Sequence, residues 1–497
     1  MERKTNRPVV LAAILLAMFM AAIEATIVAT AMPGIVGDLG EFSLFSWVFS
    51  SFLLMQAVTI PIYGKLADLY GRKTTFSVGV IIFLIGSFLC GLSASMEMLI
   101  VFRLIQGIGA GAVQPIATTI VGDIYSLEER AKVQGYLSSV WGISALAGPV
   151  LGGVFVSYVH WAWVFWINIP LGIFAIIAIW TCLHEDVERQ KHKIDYAGSG
   201  LLFVSIASLI VLFTQGGVSW PWMSAISAML LAIFLVGSAL FIWQENRAEE
   251  PMMPLFIWRN RIIAVSNLAS LTAGATMIGV ASFLPTFVQG VWQKPPLVAG
   301  FTLSMMSIGW PIASFFAGKV MIRWGFRNTA VWGGFFLVAG TLFYVALPDE
   351  SNVVWAGLGS FITGIGMGLA LTAFIVSIQS SVDWKTRGVA TASNMFMRIL
   401  GNTMGAAILG GIMNLNIKQF VTANPELKLH GENPDVAHLL LDPETLLRLP
   451  AETIGLLKEG LASSLHAVYI GVFVFAVLSL FYTFLLPASI KKEESNS

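Results

Sequence analysis

Charge is what this sequence has least of. Only 11% of its 497 residues are charged and 57% are hydrophobic, where a soluble domain carries about 25% charged residues. The formal net charge is zero, so nothing electrostatic points to a nucleic-acid partner. Cysteine is nearly absent. Cys90 and Cys182 lie in separate apolar runs, which excludes a disulfide framework and a cysteine metal cluster. Six histidines are spread along the chain and no phosphate-cradling Gly-Lys-Ser/Thr loop occurs, so neither a metal site, a bound cofactor, an enzyme nor an ATP-driven pump is supported.

What is abundant is apolar length. Mean hydropathy is +0.80, and uninterrupted runs of about 20 residues, enough to cross a bilayer, recur from end to end. Fourteen are expected, the first near 9–32, the seventh and eighth near 196–214 and 222–243, and the last near 466–487. The first run is too long for the core of a signal peptide and is read as a retained span. The runs are continuous rather than alternating, so they are helices and not barrel strands. The expected fold class is all-α and integral to the membrane.

Lysine and arginine set the orientation. With the amino terminus inside, inside segments hold 21 of the 28 cations, including Arg72, Lys73, Arg130, Lys319, Arg323 and Arg387. Outside segments hold five, namely Lys294, Lys418, Lys428, Arg448 and Lys458, and Arg103 and Arg398 fall within spans. Both termini are therefore expected in the cytoplasm, with the chain in the cell membrane.

The chain also repeats itself. "GKLADLYGRK" at position 64 matches "GKVMIRWGFR" at 318, and "GIGAG" at 107 matches "GIGMG" at 364. Arg130 with Arg387, Gly148 with Gly405 and Gly153 with Gly410 share an offset of 257. This predicts two six-helix halves, 1–193 and 259–497, with two inserted helices and their linkers at 194–258. Parallel repeats of this kind build many secondary transporters, whose substrate site lies between the halves.

These residues carry a resemblance. "GKLADLYGRK" from Gly64, "RLIQGIGAG" from Arg103, "GISALAGPVLGG" from Gly142, "IEATIVATAMP" from Ile23 and "WAWVFWINIPLG" from Trp161 together resemble the signatures of the major facilitator superfamily, in its fourteen-helix drug:proton antiporter branch. The resemblance covers essentially the whole chain. It implies proton-driven multidrug efflux by alternating access, the activity behind antibiotic resistance, by a monomer without a cofactor. One departure is Ala162, where the family usually has an arginine between the two tryptophans.

Each motif has a physical reading of its own. Gly64 and Gly71 permit tight turns and close helix approach. Asp68 is within reach of Arg72 for a charge-assisted pair, and the resemblance implies an interhelix latch; a solvated loop obeying the positive-inside rule is the rival. The second copy has Ile322 in place of Asp68, which weakens or removes the latch there. Gly142, Gly148, Gly152 and Gly153 let backbones touch and Pro149 bends the rod, giving a gating element by resemblance or a packing motif without one.

A lone acid in an apolar run is expensive. A charge at membrane depth costs about 2.5–3.5 kcal/mol on insertion scales, so it faces inward and finds a partner. Glu24 lies nine residues before Pro33, about 13 Å along a helix, near mid-membrane and at a depth comparable to Arg103. The two either form a structural pair, or Glu24 exchanges a proton, since burial favours its protonated form and a neighbouring cation its carboxylate. Arg103 is implicated in proton transfer by the resemblance, with snorkelling to the outer head groups as the rival. The family usually has Asp where Glu24 stands. Asp123, at the inner end of the fourth span, is a further proton-coupling candidate or simply a helix-end charge.

The expected substrate is a lipophilic, often cationic, drug-like compound held by one buried acid and aromatic surface. The pocket candidates are Glu24, Trp141, Gln289, Met305, Met306, Trp310, Asn394 and Arg398, the last open between anion attraction and structural pairing. An exporter of one endogenous lipid, siderophore or peptide, or a non-transporting receptor, are the alternatives. An extended outer loop is expected at about 414–465, with "DPETLLRLPAETIGLLKEGLASSL" forming two short helices broken at Pro450.

Overall fold

The computed structural model describes residues 5–40, 44–185, 195–216, 220–248, 251, 255–348, 350–424 and 450–487. Its regular elements are helices: α1 (Arg7–Leu39), α2 (Phe45–Tyr70), α3 (Arg72–Cys90), α4 (Met96–Ile124), α5 (Leu127–Tyr158), the single turn α6 (Trp163–Trp166), α7 (Asn168–Cys182), α8 (Tyr196–Gln215), α9 (Ala225–Glu245), α10 (Arg261–Thr286), α11 (Pro296–Val345), α12 (Val353–Ser381), α13 (Trp384–Ala423) and α14 (Ala451–Phe484). Their ends are set locally. Ser95 accepts from the Met98 amide at the start of α4, and Ser126 and Glu129 form a reciprocal capping box at the start of α5.

Among the described residues twelve helical stretches, α6 and α7 counting as one, are long and apolar enough to cross a membrane, against fourteen runs in the sequence. The count differs at two places. α5 is not among the twelve, and α11 merges two of the expected spans into 50 residues, interrupted by non-helical backbone at Gly325 (φ 80°).

The internal repeat is built into the packing. α2 and α3 both lie against α4, α1 against α5 and α7; in the second half α11 lies against α12, and α10 against α13 and α14. A side chain on Gly109 would strike the Phe83 backbone nitrogen at 2.2 Å, and one on Gly366 would strike that of Leu337 at 2.5 Å: one contact, made twice. Gly71 (φ 88°) and Gly325 (φ 80°) turn the chain the same way after α2 and within α11. Only glycine adopts such φ values at no cost.

α8 is more than a linker. Its Leu202, Ile206 and Ile210 share a core cluster with Ala57 and Val58 of α2 and Met395 and Phe396 of α13, filling the seam between the halves. α9 packs on α8 and leaves Leu235, Val236 and Trp243 exposed, a surface suited to lipid.

The expected outer loop at 414–465 is shorter than that. α13 continues to Ala423 and α14 begins at Ala451, so residues 414–423 and 451–465 are helical. The reason lies in packing rather than hydropathy. Leu457, Leu461 and Leu465 recur every four residues and are buried in the second half, and Gly460 seats Phe420. The remainder, 425–449, with the expected first short helix, lies outside the described residues.

Gly325→Ala and Gly300→Ala separate conformation from packing, because a side chain at either glycine meets nothing within 4 Å and only Gly325 has positive φ. Gly325→Ala is expected to cost about 1–2 kcal/mol, lowering the melting midpoint of the purified chain in detergent. Gly300→Ala should hold or raise it. Equal midpoints would show that the turn tolerates a side chain.

Candidate functional site

At the end of the bundle that carries the basic loops, the halves are joined by charged groups. Asp68, at the end of α2, accepts from the backbone amides of Gly388 (2.9 Å) and Val389 (2.8 Å) in the second turn of α13, near the positive dipole end of that helix. Arg72 lies 2.9 Å from Asp68, donates to Asp123 Oδ2 (2.9 Å) and to the Trp384 carbonyl (2.6 Å), and stacks 3.8 Å over the Trp384 ring. Arg387 completes the group, donating to Asp123 Oδ1 (2.5 Å) and the Gly122 carbonyl. Gly64 lets α2 and α13 close, since a Cβ there would sit 2.4 Å from that of Ala392.

Asp68 and Arg72 are thus paired as expected, and their partners across the seam make the pair a clamp between halves. Asp123 belongs to this clamp. It bridges Arg72 and Arg387 near the end of α4, twenty residues and about 30 Å of helix from Arg103, so it does not share a site with Glu24. In the second copy Ile322 is exposed.

Glu24 and Arg103 form a second, separate cluster. Both side chains are fully buried, with Arg103 Nη1 donating to Glu24 Oε1 at 2.5 Å. Asn168 of α7 donates to the other carboxylate oxygen (2.8 Å), Gln106 accepts from Arg103 (2.7 Å) and donates to Ser87 (2.8 Å), and Arg103 Nε donates to the Val48 carbonyl. The guanidinium lies 4.1 Å over the Phe52 ring. Arg103 therefore turns inward and does not snorkel. The sequence reading missed Gln106 and Asn168; the available signal was an amide inside an apolar run, which must be hydrogen-bonded to be tolerated there.

Between the halves lies a cavity of about 860 Å³, within the range that holds drug-sized ligands. It runs from Thr118 and Thr372 toward Ser50, Trp222 and Asn414 at the end opposite the clamp. Of the expected pocket residues, Trp141, Met306, Trp310 and Arg398 line it. Glu24, Gln289, Met305 and Asn394 do not. Glu24 is turned away into the first half, while Ala22 and Thr26 on the same helix face the cavity. Gln289 lies in a π-helical turn after α10, and Asn394 is held by Asn267, Ser270 and the Ser266 carbonyl. Gln56, Gln114, Gln134 and Asn402, which the sequence reading passed over, are in the wall, as are Ile210 and Phe213 of α8.

The glycines of the α5 motif differ in what they touch. Gly142 lines the cavity and faces the Ser307 carbonyl of α11, Gly148 and Gly152 seat α5 on Thr26 and Ile27 of α1, and Gly153 meets nothing within 4 Å. The side chain of Pro149 lies outside the described residues.

The clamp generates a direct test. Asp68→Asn removes one charge-assisted acceptor and turns an amide donor toward a backbone donor. A hydrogen bond to a charged group contributes about 1.5–3 kcal/mol, so the ratio of clamped to separated molecules should fall at least about tenfold. Spin labels at Lys132 and Lys385, one on each half at the clamped end, should report it as a longer distance population. An unchanged distribution would show that closure does not depend on Asp68.

Comparison with known proteins agrees with this architecture. The model of the Major Facilitator Superfamily matches residues 14–406. The multidrug transporter protein MdtP of Bacillus subtilis is 33% identical over 516 residues, covering 99% of this chain and 95% of that protein. Multidrug resistance protein 3 of the same organism is 37% identical over 410 residues, 82% of this chain and 80% of its own. Among solved structures, the human organic anion transporter MFSD10 superposes with a TM-score of 0.64 at 13% identity, over 97% of this chain and 100% of that one; at that identity the likeness shows the fold alone. The chain belongs to the Major Facilitator Superfamily and is a multi-pass membrane transporter.

Proposed function

We propose that the chain is a proton-coupled antiporter that exports lipophilic compounds by alternating access, with Glu24 as the group that exchanges the proton. The observation that carries the reading is the placement of Glu24: buried against Arg103 on the same helix whose Ala22 and Thr26 face the cavity. Carboxylate and guanidinium satisfy each other here. A proton on Glu24 removes one charge of a pair whose other member stays charged and buried, an imbalance of the kind that costs about 3–5 kcal/mol when a partner is lost. Relief comes from moving α1 against α4, and α1 is a wall of the substrate cavity.

The same reading carries the finer topology. α11, at about 1.5 Å per residue, is about 75 Å long, more than twice a bilayer core of about 30 Å. With its break at Gly325 it supplies two crossings, and α5, 32 residues long, supplies one more. Fourteen crossings with both termini in the cytoplasm follow, and the clamped basic end is then cytoplasmic, so this conformation opens outward. The two Bacillus relatives, a multidrug transporter protein and a multidrug resistance protein, support transport of drug-like compounds. The preference for cations expected from Glu24 needs its carboxylate in the cavity, and in this conformation Arg103 and Asn168 occupy both oxygens.

Proteoliposomes with an imposed pH gradient and a trapped pH dye test the proposal, using ethidium and 4-(1-pyrenyl)butyrate in turn as the added compound. The native chain should dissipate the gradient with at least one of them, and Glu24→Gln should abolish that response. A Glu24→Gln response equal to the native one would make Glu24–Arg103 a structural pair only.

A further inference from the structure

The wall of the cavity holds one ionisable side chain among the described residues, and it is a cation. Arg398 lies on α13 and lines the cavity together with Asn402, one helical turn further on. Among the described residues it has no ion pair and no side-chain hydrogen bond, whereas Arg72, Arg103 and Arg387 are each answered by a carboxylate. Guanidinium does not give up its proton in proteins, so the cavity carries a positive charge at every working pH. The one mid-membrane carboxylate of the sequence, Glu24, is neutralised by Arg103 outside the wall.

Arg398 is half-buried, and a charge at membrane depth without a partner is costly. It persists where a ligand supplies the missing partner. The rest of the wall describes that ligand's body: Trp141, Trp222 and Trp310 with Met18, Met277 and Met306 offer broad, polarisable apolar surface. The carbonyl oxygen of Asn402 is buried without a donor, so this stretch of α13 is unfinished in its polar contacts as well as its charge.

We infer that the cavity selects lipophilic monoanions, with Arg398 as the binding residue for a carboxylate or a similar oxyanion and the tryptophan and methionine surface holding the apolar body. The inference deepens the transport reading, on which it rests for what the cavity is for. Planar, forked guanidinium pairs with carboxylate through two parallel hydrogen bonds, so Lys retains the attraction but not the geometry. Lipophilic cations of the same body meet a like charge in the wall.

A matched pair of probes tests it on the purified full chain: 4-(1-pyrenyl)butyrate and 4-(1-pyrenyl)butyltrimethylammonium, followed by energy transfer from the cavity tryptophans to pyrene. The butyrate should bind at least about tenfold more tightly, as expected for one charge-assisted contact. Arg398→Gln should remove that preference, and Arg398→Lys should keep part of it. Tighter binding of the ammonium to the native chain overturns the inference without any variant, as does an unchanged ratio in a monodisperse Arg398→Gln. Added phosphatidylglycerol separates two sources of such an anion: displacement of the butyrate assigns the site to lipid head groups, and indifference assigns it to free organic acids. Transport is read separately in proteoliposomes. Butyrate preference without proton-driven movement leaves the anion site standing and sinks the antiporter, and proton-driven movement with ammonium preference does the reverse.

Discussion

The cost of leaving a charge unpaired in a low-dielectric bundle organises this molecule. Apart from Arg398, the interior arginines Arg72, Arg103 and Arg387 are gathered with their carboxylates into two compact groups. Glu24 and Arg103 bring α1 and α4 together, and Asn168, Gln106 and Val48 add α7, the rest of α4 and α2 to the same point. Asp68, Arg72, Asp123 and Arg387 do the same for α2, α3, α4 and α13. Apolar burial by itself does not fix rotation or sliding of a helix in lipid, because a lipid tail is as apolar as leucine. Ion pairs with hydrogen-bonded neighbours do. They fix register where packing leaves it loose.

The two halves share a backbone but not these charges. Gly71 and Gly325 turn identically, and Gly109 and Gly366 seat the same contacts, yet Asp68 has Ile322 as its counterpart. The consequence is an asymmetric seam. α2 meets α13 through the clamp, while the corresponding meeting of α11 and α5 rests on close approach, with Gly135 against Phe315 and Gly142 against Ser307. One seam is held by ionic contacts and charge-assisted hydrogen bonds, the other by close backbone approach at glycine.

Helix class, repeat and the Asp68–Arg72 and Glu24–Arg103 pairings were legible in the sequence because each follows from a local rule: apolar length, a constant offset, and the need of a buried charge for a partner. What was not legible depends on direction around a helix. Met305 and Met306 are neighbours in sequence and only Met306 faces the cavity; Glu24 sits between Ala22 and Thr26 and faces the other way. Composition says what lies at a given depth and not which side it takes. The extents of α13 and α14 were missed for a related reason, since Leu457, Leu461 and Phe420 make helix by packing beyond the apolar run. The role of α8 was hidden because an insertion breaks the repeat and has no counterpart to be compared with.

Separating the acid from the cavity constrains any coupling mechanism. If proton and substrate competed for one carboxylate, a single residue would account for exchange. Here the carboxylate is occupied by Arg103 and Asn168 behind the wall, and the cavity's charge is the opposite one, on Arg398 of the other half. Influence between them must then pass through the body that joins them. α1 carries Glu24 on one face and cavity residues on the other, and Thr26 ties it to the Ser144 carbonyl of α5. α5 in turn rests on α11 across the seam. On the proposed reading, protonation at Glu24 and anion binding at Arg398 act on opposite halves of the transporter, and coupling requires that each change the free energy of the state the other prefers.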